Sequence, residues 1–366
     1  MKKIKSRNFF LLMAGLSVLI LLFLLIVLFG KGQEEETVKI GFVMSGSKEE
    51  NGWNGAHYRG MLQACEEYGV ELLVKENIKE FTGQCEAAIE ELVTEGAGMI
   101  VLSSYGYSEE VKEFITKYPE VTFYVNSSEY HDENMTSYFA RIYQGRYLAG
   151  MIAGMKTESD KIGYVAAMSN NEVNRGINAF TLGVKRVNKE AEVIVAWTGS
   201  WDDGQAEGDA VTKLIEDCSV DVITYHQNQN HVIKAAEEAG VYSIGYHERF
   251  EDFSPRYLTA VVCDWYPVYE ELIKEYRKGK GNINTNYWIG VEKAAVNLAA
   301  YSSEVTDDIV KEIEAARGEI LRGRDVFTGE IYDTEGVLRC GKNEVLSDEM
   351  LLEEFDWFVE GVKFYE

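Results

Sequence analysis

Short apolar runs alternate along this chain with longer stretches whose apolar residues recur at i, i+3, i+4 and i+7, the period of a helix. The runs VKIGFVM (38–44), VELLVKE (70–76), GMIVLSS (98–104) and VTFYVN (121–126) read as strands. KIGYVAA (161–167), AEVIVAW (191–197), VDVITYH (220–226) and VYSIGY (241–246) read the same way. Between them HYRGMLQACEEYG, QCEAAIEELVTEG, SEEVKEFITKY, YQGRYLAGMIAGMK, NRGINAFTLGVKRVN, QAEGDAVTKLIEDC and HVIKAAEEAG read as amphipathic helices. Strands alternating with helices of this length imply βαβ units and a mostly parallel sheet. The rhythm occurs twice, over 38–158 and 159–262, and each span is the size of one doubly wound lobe. Further on, YLTAVVCDWYPVYEELIKEYRKGKG reads as strand, turn and helix, and NYWIGVEKAAVNLA as strand and helix. A helix (DDIVKEIEAARGEILRG), a hairpin (VFTGEIYDTEG) and a last acidic helix follow. Residues 263–366 are expected to cross between the lobes and complete them. The predicted fold is therefore α/β, two Rossmann-like lobes with a cleft between their strand carboxyl ends.

The first thirty residues break this pattern. MKKIKSRN is basic, and FFLLMAGLSVLILLFLLIVLFG then runs 22 residues without a charge. At 1.5 Å per residue that helix is roughly 33 Å long, enough to cross a bilayer's hydrocarbon core. The basic flank favours a cytoplasmic amino terminus, which places the rest of the chain outside the cell, anchored to its membrane. LFGKGQ offers no small-residue cleavage pattern and no cysteine to accept a lipid, so residues 1–30 read as an uncleaved anchor and 31–37 as a short acidic spacer.

Charge and cysteine content narrow the function. The net charge is −25, although Lys2, Lys3, Lys5 and Arg7 make the first thirty residues basic. An acidic body of this kind argues against nucleic acid or an anionic lipid surface as a partner. The 5 cysteines (Cys65, Cys85, Cys218, Cys263 and Cys340) are scattered and form no CxxC; most of them read as small buried apolar groups, not a disulfide framework. A monomer with no cofactor is expected.

In open α/β sheets ligands sit where strand carboxyl ends meet helix amino ends. ENGWNGAHYRG (50–60) occupies such a corner, bringing Trp53, Asn54 and His57 after the first strand. Tyr105 and Tyr107 follow the third strand; Glu172, Trp201, Asp202, His226, His247 and Asp264 stand at the corresponding turns of the second lobe. These turns are rich in aromatic and in neutral or acidic hydrogen-bonding groups. GxGxxG and GxxxxGK[ST] are both missing, so nothing marks a nucleotide-phosphate site. A flat, uncharged ligand suits this set: aromatic faces to stack on and amide or carboxylate partners for its edges. Stacking a base on one aromatic side chain is worth about 1–3 kcal/mol. A lone tryptophan at such a turn is as ordinary a packing residue as a binding one. The corresponding placement of Trp53 and Trp201, one per lobe, points the pair at a sandwiched base. His57 reads as structural. His226 and His231 are five residues apart with no cysteine near, which does not suggest a zinc site. Asp202 and Asp203 double as helix-cap residues. Cys263 beside Asp264, with His247 upstream, has the types of a thiol nucleophile but no oxyanion-hole signature around it. NSS at 126 and NMT at 134 are formal glycosylation sequons.

KIGFVMSGSKEENGWNGAHYRG, MIVLSSYGYSEEV, FARIYQGRYLAGMIAG, KIGYVAAMSNNEVNRGINAFTLGVKRVN, WTGSWDDGQAEGDAVTKLI and LTAVVCDWYPVY together resemble the basic membrane protein family of substrate-binding proteins, which includes purine nucleoside receptors of ABC importers. The resemblance spans about 37–335. It implies a type I periplasmic-binding-protein fold that closes on a ligand by a hinge, and a partner permease and ATPase. It carries over Trp53 as the aromatic that stacks on the purine from the first lobe, Asn54 as its polar neighbour and Trp201 as the facing aromatic. Two positions depart: His247 stands where nucleoside-binding members have an aspartate, and Asp264 where they have a lysine. That pair contacts ribose in those members, so the variants here look more like the subgroup that takes a free base such as adenine, with Asp264 or Glu172 accepting from its amino group. Two other readings remain: a membrane-tethered sensor of purine nucleosides or other small molecules, and a nucleoside hydrolase, for which no Asp-rich cluster is present.

Overall fold

In the computed structural model, described for residues 38–127, 132–279 and 286–365, the double rhythm forms two lobes. The expected membrane helix and spacer lie outside the described residues. Among those described, no helix is long and apolar enough to cross a membrane. The first lobe runs β1 (Lys39–Val43), α1 (Trp53–Tyr68), β2 (Glu71–Lys75), α2 (Gln84–Thr94), β3 (Met99–Leu102), α3 (Tyr107–Val111), β4 (Thr122–Asn126) and β5 (Met135–Ala140). Next come α4 (Ile142–Lys156), β6 (Lys161–Ala166), α5 (Asn171–Val187), β7 (Glu192–Trp197), α6 (Gly204–Cys218), β8 (Val222–His226), α7 (His231–Ala239), β9 (Tyr242–His247) and β10 (Tyr257–Cys263). The remainder supplies α8 (Tyr266–Arg277), β11 (Tyr287–Ile289), β12 (Val296–Leu298), α9 (Asp307–Leu321), a hairpin of β13 (Ile331–Tyr332) and β14 (Leu338–Cys340), α10 (Asp348–Glu353) and β15 (Val362–Phe364).

One sheet has the order β11-β5-β4-β3-β1-β2 and the other β12-β10-β9-β8-β6-β7-β15. Every pairing in them is parallel except the antiparallel edge of β12 on β10. Strands flanked on both faces by helices read as unbroken apolar runs, and Met99–Leu102 and Val222–His226 are buried throughout. Each lobe repeats the same winding, so each has its switch point beside its first strand: between β1 and β3, and between β6 and β8.

Three connections join the lobes, at 140–142, 263–266 and 289–296. They are tied to one another: Arg141 N–H donates to Ile289 O (2.7 Å) and Asp264 N–H to Ala295 O (2.9 Å). Val291 N–H donates to the Gln144 carboxamide at 3.0 Å. The stretch read as strand and helix in NYWIGVEKAAVNLA is instead β11, a short 3₁₀ turn and β12. Its alanines favour a helix locally, but pairing along sheet edges in both lobes outweighs that preference. β15 was not foreseen; it covers β7, which would otherwise be an open edge.

The lobes meet across the cleft. The Arg59 guanidinium pairs with the Glu248 carboxylate at 2.5 Å. Gly52, at φ +117°, brings its backbone so close to Asn228 that an added Cβ would lie 2.2 Å from that residue's carbonyl oxygen.

Candidate functional site

Both switch points open on one cavity of about 340 Å³, within the range of small-molecule sites. Trp53, Asn54, Tyr105, Glu172, Trp201, Asp202, His226 and His247 all line it. Two of the residues expected there lie elsewhere. Tyr107 is fully buried at the start of α3, its hydroxyl donating to Ile78 O at 2.5 Å, so it belongs to the first lobe's core. Asp264 stands on the second connection between lobes, where its exposed carboxylate accepts from Tyr266 N–H at 3.0 Å in the turn that leads into α8. It therefore faces a separate groove at the hinge.

Trp53 opens α1, directly after the β1 turn. Its indole Nε1 donates to Ser103 O at the end of β3 (2.9 Å), fixing the ring plane. Trp265 packs edge-on behind it at 5.4 Å, and His247 from the other lobe meets it at 5.2 Å. His57 stacks on Trp265 at 3.7 Å and pairs with the Tyr269 hydroxyl, so it supports this wall from behind. Asn54 is committed to its own loop: Nδ2 donates to Glu50 (2.6 Å) and Oδ1 accepts from Ser45 (3.3 Å). Across the cleft, Trp201 is half-buried and sits 6.0 Å from the His226 ring. Gln227 holds its loop, donating to Ser200 O (2.8 Å) and Trp201 O (3.3 Å) and accepting from the Thr198 hydroxyl (2.7 Å). Asp203 caps α6, accepting from Gln205 and Ala206 N–H at 3.1 Å.

Several lining residues carry no functional pattern in the sequence. Glu80 braces the Tyr105 turn, accepting from Ser104 Oγ (2.5 Å) and Gly106 N–H (2.7 Å). Asn126, at the end of β4, is fully buried, and neither end of its carboxamide makes a hydrogen bond. The Tyr138 hydroxyl is near enough to sense this amide but outside hydrogen-bond geometry. A buried amide with both ends unpaired is costly unless a ligand or water completes it.

The electrostatics favour a neutral guest. Burial holds His226 and His247 well below the usual histidine range; the Arg146 guanidinium adds to this in both, so both imidazoles are neutral at pH 7. Burial lifts the Glu172 carboxyl to about 7, while Arg175, the Ser127 hydroxyl and Arg146 pull the other way. Its Oε1 lies 3.5 Å from His226 Nε2. Among the described residues the lining carries Glu50, Glu80, Glu172 and Asp202 against the single ammonium of exposed Lys79, which disfavours phosphate or carboxylate ligands. Burial also raises the Cys263 thiol, the opposite of what a nucleophile requires.

A sequence profile described as ABC transporter substrate-binding protein PnrA-like matches residues 37–327. A purine-binding protein of Brucella abortus is 32% identical over 91% of this chain and 95% of its own length. A Haloferax volcanii protein, provisionally named an ABC transporter glucose-binding protein, is 31% identical over 91% of this chain and 82% of its own length. Among solved structures, a transcriptional activator of the comK gene from Bacillus halodurans superposes with a TM-score of 0.66 at 26% identity, covering 78% of this chain and 99% of that one. An ABC transporter solute-binding protein from Aeropyrum pernix gives 0.68 at 16% identity, over 87% of this chain and 98% of that one, a likeness of fold. With its two-lobed fold and interlobe cavity, the chain belongs to the Bmp family of PnrA-like ABC transporter substrate-binding proteins.

Proposed function

We propose that this protein binds a purine, with the free base adenine favoured, between Trp53 and Trp201 and hands it to the permease and ATPase of an importer. The observation that carries the reading is the composition of one cavity: an indole from each lobe, neutral imidazoles, and the unpaired Asn126 amide. A carboxamide complements the N6/N7 edge of adenine, donating to N7 and accepting from the exocyclic amine. Glu172, not Asp264, is the carboxyl placed to accept from an amino group when ionised. The chain works as a monomer, tethered by residues 1–30 with its lobes outside the cell.

Titration calorimetry of the purified chain with adenine, guanine, hypoxanthine, adenosine and glucose tests this. One-site binding tightest for adenine supports the reading; tightest binding of glucose refutes it and favours the chemistry named for the Haloferax relative. A second reading, a tethered sensor, draws on the likeness to the Bacillus activator. Loss of purine uptake when the gene is deleted separates transport from sensing.

A further inference from the structure

Beside the cavity, behind the Trp201 loop, three side chains from separate elements converge. Asp202 lies in the loop, Glu207 on the first turns of α6, and His231 at the first residue of α7. One ligand atom from each lies within 4.8 Å of the others, and His231 Nε2 stands 3.7 Å from Asp202 Oδ1. We propose that this trio is a binding site for a divalent transition-metal ion of the zinc class, clamping the Trp201 loop to α6 and α7.

Glu207 is the observation that lifts this above a chance group of acids. It is fully buried, yet neither carboxylate oxygen has a hydrogen-bond partner. The backbone amides of Asp203 and Val232 are close enough to ease its charge but do not reach hydrogen-bond geometry, and burial outweighs them. A buried carboxylate left in this state requires a proton or a cation. Gly204 leaves room for the imidazole, because a Cβ there would meet His231 Nδ1 at 3.0 Å. Asp202 and His231 are partly exposed, which gives an ion a route in and leaves positions for water.

The donor set selects the ion. One imidazole nitrogen and two carboxylate oxygens, with water completing the shell, suit Zn²⁺. Calcium prefers six to eight oxygens, which this trio does not offer. Donors about 2.1 Å from one tetrahedral ion lie about 3.4 Å apart, so the trio, whose ligand atoms here lie within 4.8 Å of one another, draws in by up to about 1.4 Å on binding. The sequence set His231 aside because it was paired there with His226; the fold pairs it with carboxylates instead.

The test uses the full chain, prepared without a polyhistidine tag, stripped with EDTA and titrated with ZnCl₂, with CaCl₂ in parallel. The expected result is one equivalent of Zn²⁺ bound at micromolar or tighter affinity, weakened at least tenfold in both Glu207→Gln and His231→Ala. Glu207→Gln keeps the shape and removes the charge, and His231 is on the surface, so circular dichroism should show both variants folded. Cys218→Ser controls for a half-exposed thiol and should bind as the wild type does. Absence of stoichiometric binding, binding that survives in either variant, or calcium bound as tightly as zinc overturns the proposal.

Discussion

Gly52→Ala isolates closure from folding. The added Cβ would lie 2.2 Å from the Asn228 carbonyl oxygen, while ordinary contact begins near 3.4 Å. The lobes must therefore part by roughly 1 Å to accommodate one methyl group. A gap of that size forfeits a quarter to a half of a contact's dispersion well. Stacking on each aromatic is worth about 1–3 kcal/mol, so two loosened faces lose about 1–2 kcal/mol, which weakens binding about tenfold. The backbone at φ +117°, ψ −139° also strains alanine by about 1–3 kcal/mol. That strain is present in open and closed forms alike, so it lowers the melting temperature without changing affinity. Gly69→Ala is the control: at φ +59°, ψ 45° it carries the milder strain of the left-handed helical region, and with nothing within 4 Å it lacks the clash. Calorimetry with adenine should show about tenfold weaker binding for Gly52→Ala and unchanged binding for Gly69→Ala, with both melting a few degrees lower. Gly52→Ala binding within twofold of the wild type would refute the claim that the bound form is closed at this contact.

Trp201→Ala should weaken adenine binding about 10- to 100-fold by calorimetry with little change in melting temperature, because this half-buried indole works mainly on the ligand. Trp53→Ala should lose affinity similarly and also about 3–5 kcal/mol of stability by urea unfolding, since its buried ring is packed and bonded to Ser103. Asn126→Asp should cost adenine at least tenfold in affinity by removing the only donor of that amide; equal affinity would exclude it from recognition. Asp264→Ala should lower stability by about 0.5 kcal/mol through the lost exposed turn hydrogen bond from Tyr266 N–H and leave affinity within threefold. Burial raises the Glu172 carboxyl from 4.5 to about 7, so the folded chain holds a proton the unfolded chain releases. Its stabilising contribution is complete below about pH 4.5 and fades as pH rises through 7. Between pH 5 and 8 the wild type should therefore lose melting temperature relative to Glu172→Gln, and parallel profiles would contradict the shift.

The two-lobed winding was legible because strands buried on both faces write continuous apolar runs, and their helices write a clean 3.6-residue period. β5 was not: Thr136 and Ser137 interrupt its apolar run, although both are buried in the sheet. β15 is too short to leave a pattern. At the site, turn position in the sequence located Trp53, Glu172, Trp201, His226 and His247 near the strand ends, but it does not say which way a side chain turns. Tyr107 turns inward under its own helix, and Asp264 falls on the hinge; both facts depend on packing between distant segments. Asn126 carried no spacing signal, only a sequon, and its burial is a property of β4 lying inside the sheet. Glu207 and His231 are 24 residues apart and meet only because α6 and α7 lie side by side.

A crystal structure of the chain grown with adenine tests the central claim most directly. The account predicts the base lying between the Trp53 and Trp201 rings, with its amino edge on Asn126. A base bound outside this cavity, or inside it with neither indole on its faces, would contradict it.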